Sequence, residues 1–389
     1  MSRVLLIAER FPPDLGGLAR SSHRTARSLG QLGLEVEVLA WTKALPPGAI
    51  ETQAANVDQA YTLHRMGLFS NWDLSLQHSL NVLNTLHDMH PYDWVWGHYL
   101  FPAGFFAVMF AQSHKIPCTV SARGNDVDQM MFPPGDFSRL LWTLQRADYI
   151  TAVSQDLINK MEVLLGDSKP MSIIPNAVDI ELFKPSEPSA DLRSSLGIRD
   201  DELVLGFSGE LKHKKGFPFL LSALADVHAQ RPCVLLIVGE VRARTEEHFI
   251  SFRTQHPEAA QRIIITGHLE NAADVVQHVQ LCDLCLAPSV WDGLPNAVLE
   301  AMAMEKVVIA SRAGGLPEVI EHRQNGLLLP IAQLHRLGEA IIEFTEQNED
   351  TQKAIQVAAR KTILKGYQSR NELDALKVVV DALEAVKAP

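Results

Sequence analysis

Residues 284–303, LCLAPSVWDGLPNAVLEAMA, decide the fold. The stretch opens on a short apolar run that ends at Leu286–Ala287. It crosses a loop carrying Asp292 and Gly293 and continues as a helical pattern through Glu300 to Met304. Unbroken apolar character, rather than alternation, belongs to a strand covered on both faces, as in a parallel sheet. Pro295 suits the first turn of the helix, where its missing N–H costs nothing. The unbonded N–H groups around Gly293–Ala297 form a partly positive helix end that can hold a phosphate or a sugar hydroxyl.

The same unit recurs along the chain. In the first half the apolar runs are VLLIA (4–8), VEVLA (36–40), DWVWG (93–97), CTVSA (118–122), YITAV (149–153) and SIIPN (172–176). In the second they are LVLGFSG (203–209), VLLIVG (234–239), RIIIT (262–266), LCLAPS (284–289), VVIAS (307–311) and GLLLP (326–330). Strand–helix alternation at this spacing is the pattern of βαβ units. Between the two sets, Lys184–Asp200 is rich in Pro, Ser and charge and reads as a linker. The expectation is an α/β protein of two doubly wound, Rossmann-like domains facing across a cleft, with the ligand outside the carboxyl ends of the strands. Residues 1–183 make the first domain, 184–200 the linker and 201–370 the second. A last helix in 371–389 packs back on the first domain.

A chain of 389 residues, 47% apolar and 21% charged, has the composition of a globular protein with a sizeable core. The formal charge of −11 argues against sequence-independent nucleic-acid binding. No run reaches the roughly 18 apolar residues of a membrane span. The apolar run at Val4–Ala8 is short for a secretion signal and is followed by Glu9. Four cysteines are too few for a disulfide framework, so a cytosolic protein is expected. Cys282 and Cys285 form a lone C-x-x-C at a strand start and read as core, and no metal site is expected.

Asp292 and Glu300 are the chemically suggestive pair. Glu300 can accept two hydrogen bonds from a ribose diol and Asp292 one from a sugar. Taken alone, the pair also fits one acid in a first turn and another on a solvated helix face. Their context, PSVWDGLPNAVLEAMA (288–303), resembles the donor-binding signature of family 4 of the retaining glycosyltransferases, which have the GT-B fold. The resemblance implies that Asp292 contacts the transferred sugar and Glu300 the nucleotide ribose, with Gly293, Leu294, Pro295 and Asn296 lining the donor. Asp292 stands where the family mostly has Glu, one methylene longer.

Further stretches fit the same family in the same order. FSGELKHKKG (207–216) resembles its GRLxxxKG element, whose basic pair neutralises the leaving diphosphate. Lys215 matches the lysine, Gly209 the glycine, and Glu210 replaces the arginine. Lys212 or Lys214 is then the candidate for the lost cation, without the bidentate fork of arginine. FPPDLGGLAR (11–20) resembles the PPxxGG loop, placing Gly16 and Gly17 beside the donor. CTVSARGNDVDQ (118–129) resembles TxHGxD, with Arg123 in place of the histidine and Asp126 retained. Arg123 cannot act as a base; it suits a phosphate or carboxylate, including one on the acceptor. His98 matches a cleft-side family histidine, although a histidine beside a strand is commonly a packing residue. Asp126-Val127-Asp128 also spells the D-x-D metal motif of the other glycosyltransferase fold, without its surroundings. Gly314, Gly315 and Glu318 belong to a pocket-shaping loop.

The resemblance implies a retaining glycosyltransferase that uses a nucleotide sugar, needs no cofactor or metal, and glycosylates a saccharide or lipid-linked acceptor in cell-surface polysaccharide or glycoconjugate synthesis. Lys215, Asp292 and Glu300 carry the chemistry. His98, Arg123 and Asp126 face the acceptor. The alternatives are a sugar-nucleotide epimerase of the same fold and a degenerate sugar-nucleotide-binding partner protein; Glu210 and Arg123 favour the latter. Glu300→Ala should abolish activity while leaving the melting temperature within a few degrees. Arg20, His23, Arg24 and Arg27 lie along one helix, which either covers the first sheet or touches the anionic inner face of a membrane.

Overall fold

The apolar runs become strands of two separate sheets in a computed structural model that describes residues 1–166, 169–241 and 246–387. The first sheet contains β1 (Arg3–Ala8), β2 (Glu35–Thr42), β3 (Ile50–Gln53), β4 (Tyr61–Gly67), β5 (Trp94–His98), β6 (Cys118–Ala122), β7 (Tyr149–Ala152) and β8 (Met171–Ile173). Its order is β3-β4-β2-β1-β5-β6-β7-β8. All neighbours are parallel except β3, which pairs antiparallel with β4 at the edge. The second sheet contains β9 (Leu203–Ser208), β10 (Cys233–Val238), β11 (Ile263–Ile265), β12 (Leu284–Ala287), β13 (Val307–Ser311) and β14 (Leu327–Leu329). It is wholly parallel, in the order β11-β10-β9-β12-β13-β14.

Each run named from the sequence contributes to a strand, SIIPN only at Ser172 and Ile173, but β3 and β4 were not expected. The segment YTLHRMG of β4 mixes Thr62, His64 and Arg65 with its apolar positions, and every residue of β3 is exposed. Neither has a continuous apolar run: β4 is mostly buried but polar in part, and β3 is a strand by pairing alone.

The chain divides into two compact units. Residues 1–176 group with those from Glu372 onward, and residues 177–371 form the other unit. The division thus falls before Ala177 rather than after 183. The Val178 N–H donates to the Tyr367 carbonyl at 2.9 Å and Phe183 is buried, which ties this stretch to the second unit. The segment expected as a linker holds a helix, Ala190–Ser195, capped by the Ser189 hydroxyl.

The helix Ser369–Lys387 places Leu376, Val379, Val380 and Leu383 in one apolar core with Val4, Leu6, Trp94 and Trp96 of the first sheet. Burial of each such side chain contributes about 1.5–3 kcal/mol, as an upper estimate. Glu384 accepts from the Trp94 indole N–H and the Ser2 hydroxyl, each at 2.9 Å. Glu372, 2% exposed, accepts a forked pair from Arg24 at 2.9 and 3.2 Å.

Candidate functional site

In the second unit the strand order reverses direction between β9 and β12, and the loops leaving these strands carry the expected donor residues. Such a switch point opens a crevice outside the carboxyl ends of the strands. Three loops meet there. The Val290 N–H donates to the Lys214 carbonyl at 2.7 Å, and the Gly315 N–H to the Gly293 carbonyl at 2.7 Å. Gly216 at φ +77 and Gly314 at φ +52 allow this approach: a Cβ on either would overlap the backbone oxygen of Pro288 or of Asp292.

Two ammonium groups converge on the Asp292 carboxylate in that junction. Lys215 Nζ donates to Oδ2, and Lys214 Nζ lies 3.6 Å from Oδ1. The Gly293 N–H adds a bond to Oδ1 at 3.1 Å. Burial would raise the Asp292 carboxyl, but Lys215 and Lys214 outweigh it and hold it below the usual carboxylate range. Burial, opposed by Asp292 and reinforced by Lys215 and Lys212, brings the Lys214 ammonium down to about 8. A narrow, mostly apolar pocket lies beside this cluster, lined by Phe207, Ser208, Lys215, Pro295, Val298 and Ala301.

The remaining donor-side residues depart in part from expectation. The Lys212 ammonium pairs with Glu210 at 2.5 Å, which offsets its charge. Lys214, the other candidate, is the cation that reaches Asp292. Pro295 caps the helix Asn296–Ala303 from outside rather than entering its first turn. Gly293 and Leu294 are buried under the junction, Asn296 is the first helical residue, and Gly209 has open space around its Cα. Glu300 lies in this helix at 7% exposure, so it is a buried carboxylate and not a solvated one. Its replacement by alanine therefore empties a packed position as well as removing a charge.

The first unit repeats the arrangement between β1 and β5, its own switch point. Gly16, at φ +109, precedes the helix Gly17–Gln31 that follows β1. His98 ends β5, 1% exposed, with Nε2 at 3.0 Å from the Ser21 hydroxyl. Arg123 follows β6 and donates from Nη2 to Ser21 Oγ and Asn176 Oδ1, both at 2.5 Å. Ser21 and Asn176 carry no motif signal. Ser21 is a buried hydroxyl on a helix face that packs on the sheet, and only its neighbours reveal a role.

Asp126 is bound within the protein. It is 2% exposed, and its two oxygens accept backbone N–H groups from Leu100, Arg123, Gly124 and Val127. It ties the 123–127 turn to the start of the 100–104 segment. Asp128 pairs with Lys160 at 2.8 Å, so the D-x-D triplet is occupied by the protein itself. Among the described residues, no group of three or more His, Cys, Asp or Glu is placed to hold a metal ion. Cys282 is buried and Cys285 nearly so. Of the basic helix residues, Arg24 is held by Glu372, and His23 packs edge-on against Phe11 and Tyr61. No helix among the described residues is long and apolar enough to cross a membrane.

Two family models match the chain: Glycosyl transferases group 1 over residues 189–362, and Glycosyltransferase Family 4 over residues 15–182. N-acetyl-alpha-D-glucosaminyl L-malate synthase of Bacillus anthracis is 22% identical over 361 residues, spanning 92% of this chain and 91% of that protein. GDP-mannose-dependent monoacylated alpha-(1-6)-phosphatidylinositol monomannoside mannosyltransferase of Corynebacterium glutamicum is 26% identical over 360 residues, 88% of this chain and 89% of its own. Among solved structures, HepE of Anabaena in complex with UDP and glucose superposes with a TM-score of 0.80 at 20% identity, over 98% of this chain and 100% of that one. Sucrose-phosphate synthase from Thermosynechococcus elongatus does so with a TM-score of 0.80 at 17% identity, over 99% and 100%. With one model over each unit and the fold shared by such structures, the chain belongs to the group 1 glycosyltransferases of the GT-B fold.

Proposed function

We propose that the protein transfers a sugar, with retention of configuration, from a nucleoside diphosphate to an acceptor hydroxyl in cell-surface polysaccharide or glycolipid synthesis. The observation that carries this reading is the pair of lysine ammonium groups, Lys214 and Lys215, gathered at the switch point of the second sheet. Asp292 holds them in place, and an arriving diphosphate exchanges one strong anion for another. HepE is described with UDP, glucose and UDP-glucose, which supports a nucleoside diphosphate sugar as donor.

The chemistry follows from that charge. The bond from the sugar C1 to the β-phosphate oxygen breaks, and its electron pair leaves on the diphosphate. Lys215 and Lys214 stabilise the negative charge as it grows, a contribution that operates in the transition state. The C1 centre passes through an oxocarbenium-like state. The acceptor oxygen bonds C1 on the face the diphosphate leaves, and its proton passes to the departing phosphate oxygen. No metal ion is needed, since the two lysines take the charge. Asp292, once released, is free to hold a hydroxyl of the transferred sugar, and Glu300 accepts from the ribose. Proton NMR of the product tests the reading: an α-linked product from an α-linked donor supports it, and a β-linked product overturns the retaining step.

A further inference from the structure

The first unit holds a half-buried guanidinium, Arg123, that has no carboxylate in hydrogen-bond contact, although the charges of Glu372 and Asp126 reach it. An arginine carries five N–H donors. Nη2 of Arg123 spends its pair on Ser21 and Asn176, both neutral. The donors on Nε and Nη1 have no acceptor among the described residues, and no carboxylate pairs with the guanidinium there. The two carboxylates whose charge reaches it bond to other groups. Glu372 is forked to Arg24, and Asp126 is filled by four backbone N–H groups.

His98 adds an unpartnered ring nitrogen. The His98 Nε2 bonds the Ser21 hydroxyl, which also accepts from Arg123. The Nδ1 is buried and has no hydrogen-bond partner. Burial, followed by the charges of Arg123 and Arg24, lowers the His98 pKa well below its usual value, so the ring is neutral and keeps the single N–H. The cluster therefore offers one positive charge, with guanidinium donors that have no protein acceptor, at the carboxyl ends of β5 and β6.

We propose that Arg123, positioned by Ser21 and backed by His98, binds an anionic group, a carboxylate or a phosphate monoester, on the acceptor. This rests on the transferase reading and names the acceptor class. The shared chemistry is a planar or tetrahedral oxyanion matched by the guanidinium fork.

The test uses the intact protein, with inorganic phosphate and succinate as separate probes and UDP and GDP as controls. Calorimetric titration should show one site for at least one of the two anions. Arg123→Gln should weaken that site at least tenfold, and Arg123→Lys should recover part of it. Affinity for the nucleotide should stay within twofold in both variants. Unchanged anion binding in Arg123→Gln, or no binding of either anion to the wild type, overturns the proposal. An equal loss of UDP or GDP affinity also overturns it, since Arg123 then serves the donor; failure of the wild type to bind either nucleotide counts against the transferase reading instead. As a check independent of variant folding, phenylglyoxal should modify Arg123 in the wild type, and the effective anion should protect it. Absence of modification, or of protection, contradicts an anion site.

Discussion

Two ammonium groups share the Asp292 carboxylate, and burial makes one of them a pH-sensitive cation. Lys214 is 9% exposed, and its ammonium sits at about 8. Below that pH both lysines offer charge to a diphosphate; above it Lys214 becomes neutral. The nucleotide dissociation constant of the wild type should therefore rise as pH climbs from about 7 to about 9, and Lys214→Arg, which stays charged, should flatten that rise. Calorimetric titration across this range checks it. Glu300 calls for a different substitution from the one its motif suggests. At 7% exposure, Glu300→Ala loses packing as well as charge, so Glu300→Gln, which keeps the volume, is the cleaner probe. It should lower kcat by about 100-fold, the scale of one lost polar stabiliser, with a melting temperature within a few degrees of wild type. Steady-state kinetics and thermal unfolding on the same preparation separate the two effects. The sequence exposes these acids and lysines by type and spacing. It does not expose burial: that Glu210 cancels Lys212, while Lys214 reaches Asp292, depends on a loop closed by the Val290–Lys214 backbone bond.

Loops, more than strands, set the donor side. The elements that support them were readable because doubly covered parallel strands are continuous apolar runs. The polar mixture in β4 and the exposed four residues of β3 escaped for the same reason in reverse. Asp126 shows the other limit. A conspicuous acid beside a glycine suggests a ligand, yet its partners are backbone N–H groups, which no residue type announces. Gly314 is where loop geometry becomes testable. Its φ of +52 and its position against the Asp292 carbonyl leave no room for a methyl group. Gly314→Ala should cost about 1–3 kcal/mol of stability for the strained backbone, measured by urea unfolding. It should also reduce nucleotide affinity, because the displaced partner is the backbone of Asp292. An unaffected affinity would detach this loop from the donor site.

At the scale of the whole molecule, each unit keeps its own charge economy. The first contains a buried network in which Glu37 accepts from Tyr92 at 2.6 Å and from Arg3, with His64 at 3.3 Å. Burial would raise the Glu37 carboxyl, but hydrogen bonds from His64, Tyr92 and Arg3 prevail and bring it to about 2. A depressed folded pKa stabilises above the unfolded value, near 4.5, and that contribution is lost as pH falls towards about 2. Unfolding midpoints in urea should therefore fall through this window in the wild type and less steeply in Glu37→Gln. The last helix belongs to the same unit through Leu376, Val379 and Glu384. Its apolar positions on more than one face were visible in the sequence, whereas its partner strands were not, since contacts between residues 4 and 380 leave no local pattern. A crystal of the protein soaked with UDP or GDP tests the central claim most directly. The diphosphate should lie within hydrogen-bond reach of Lys215 and Lys214, with the ribose hydroxyls on Glu300; a nucleotide bound away from these residues would contradict it.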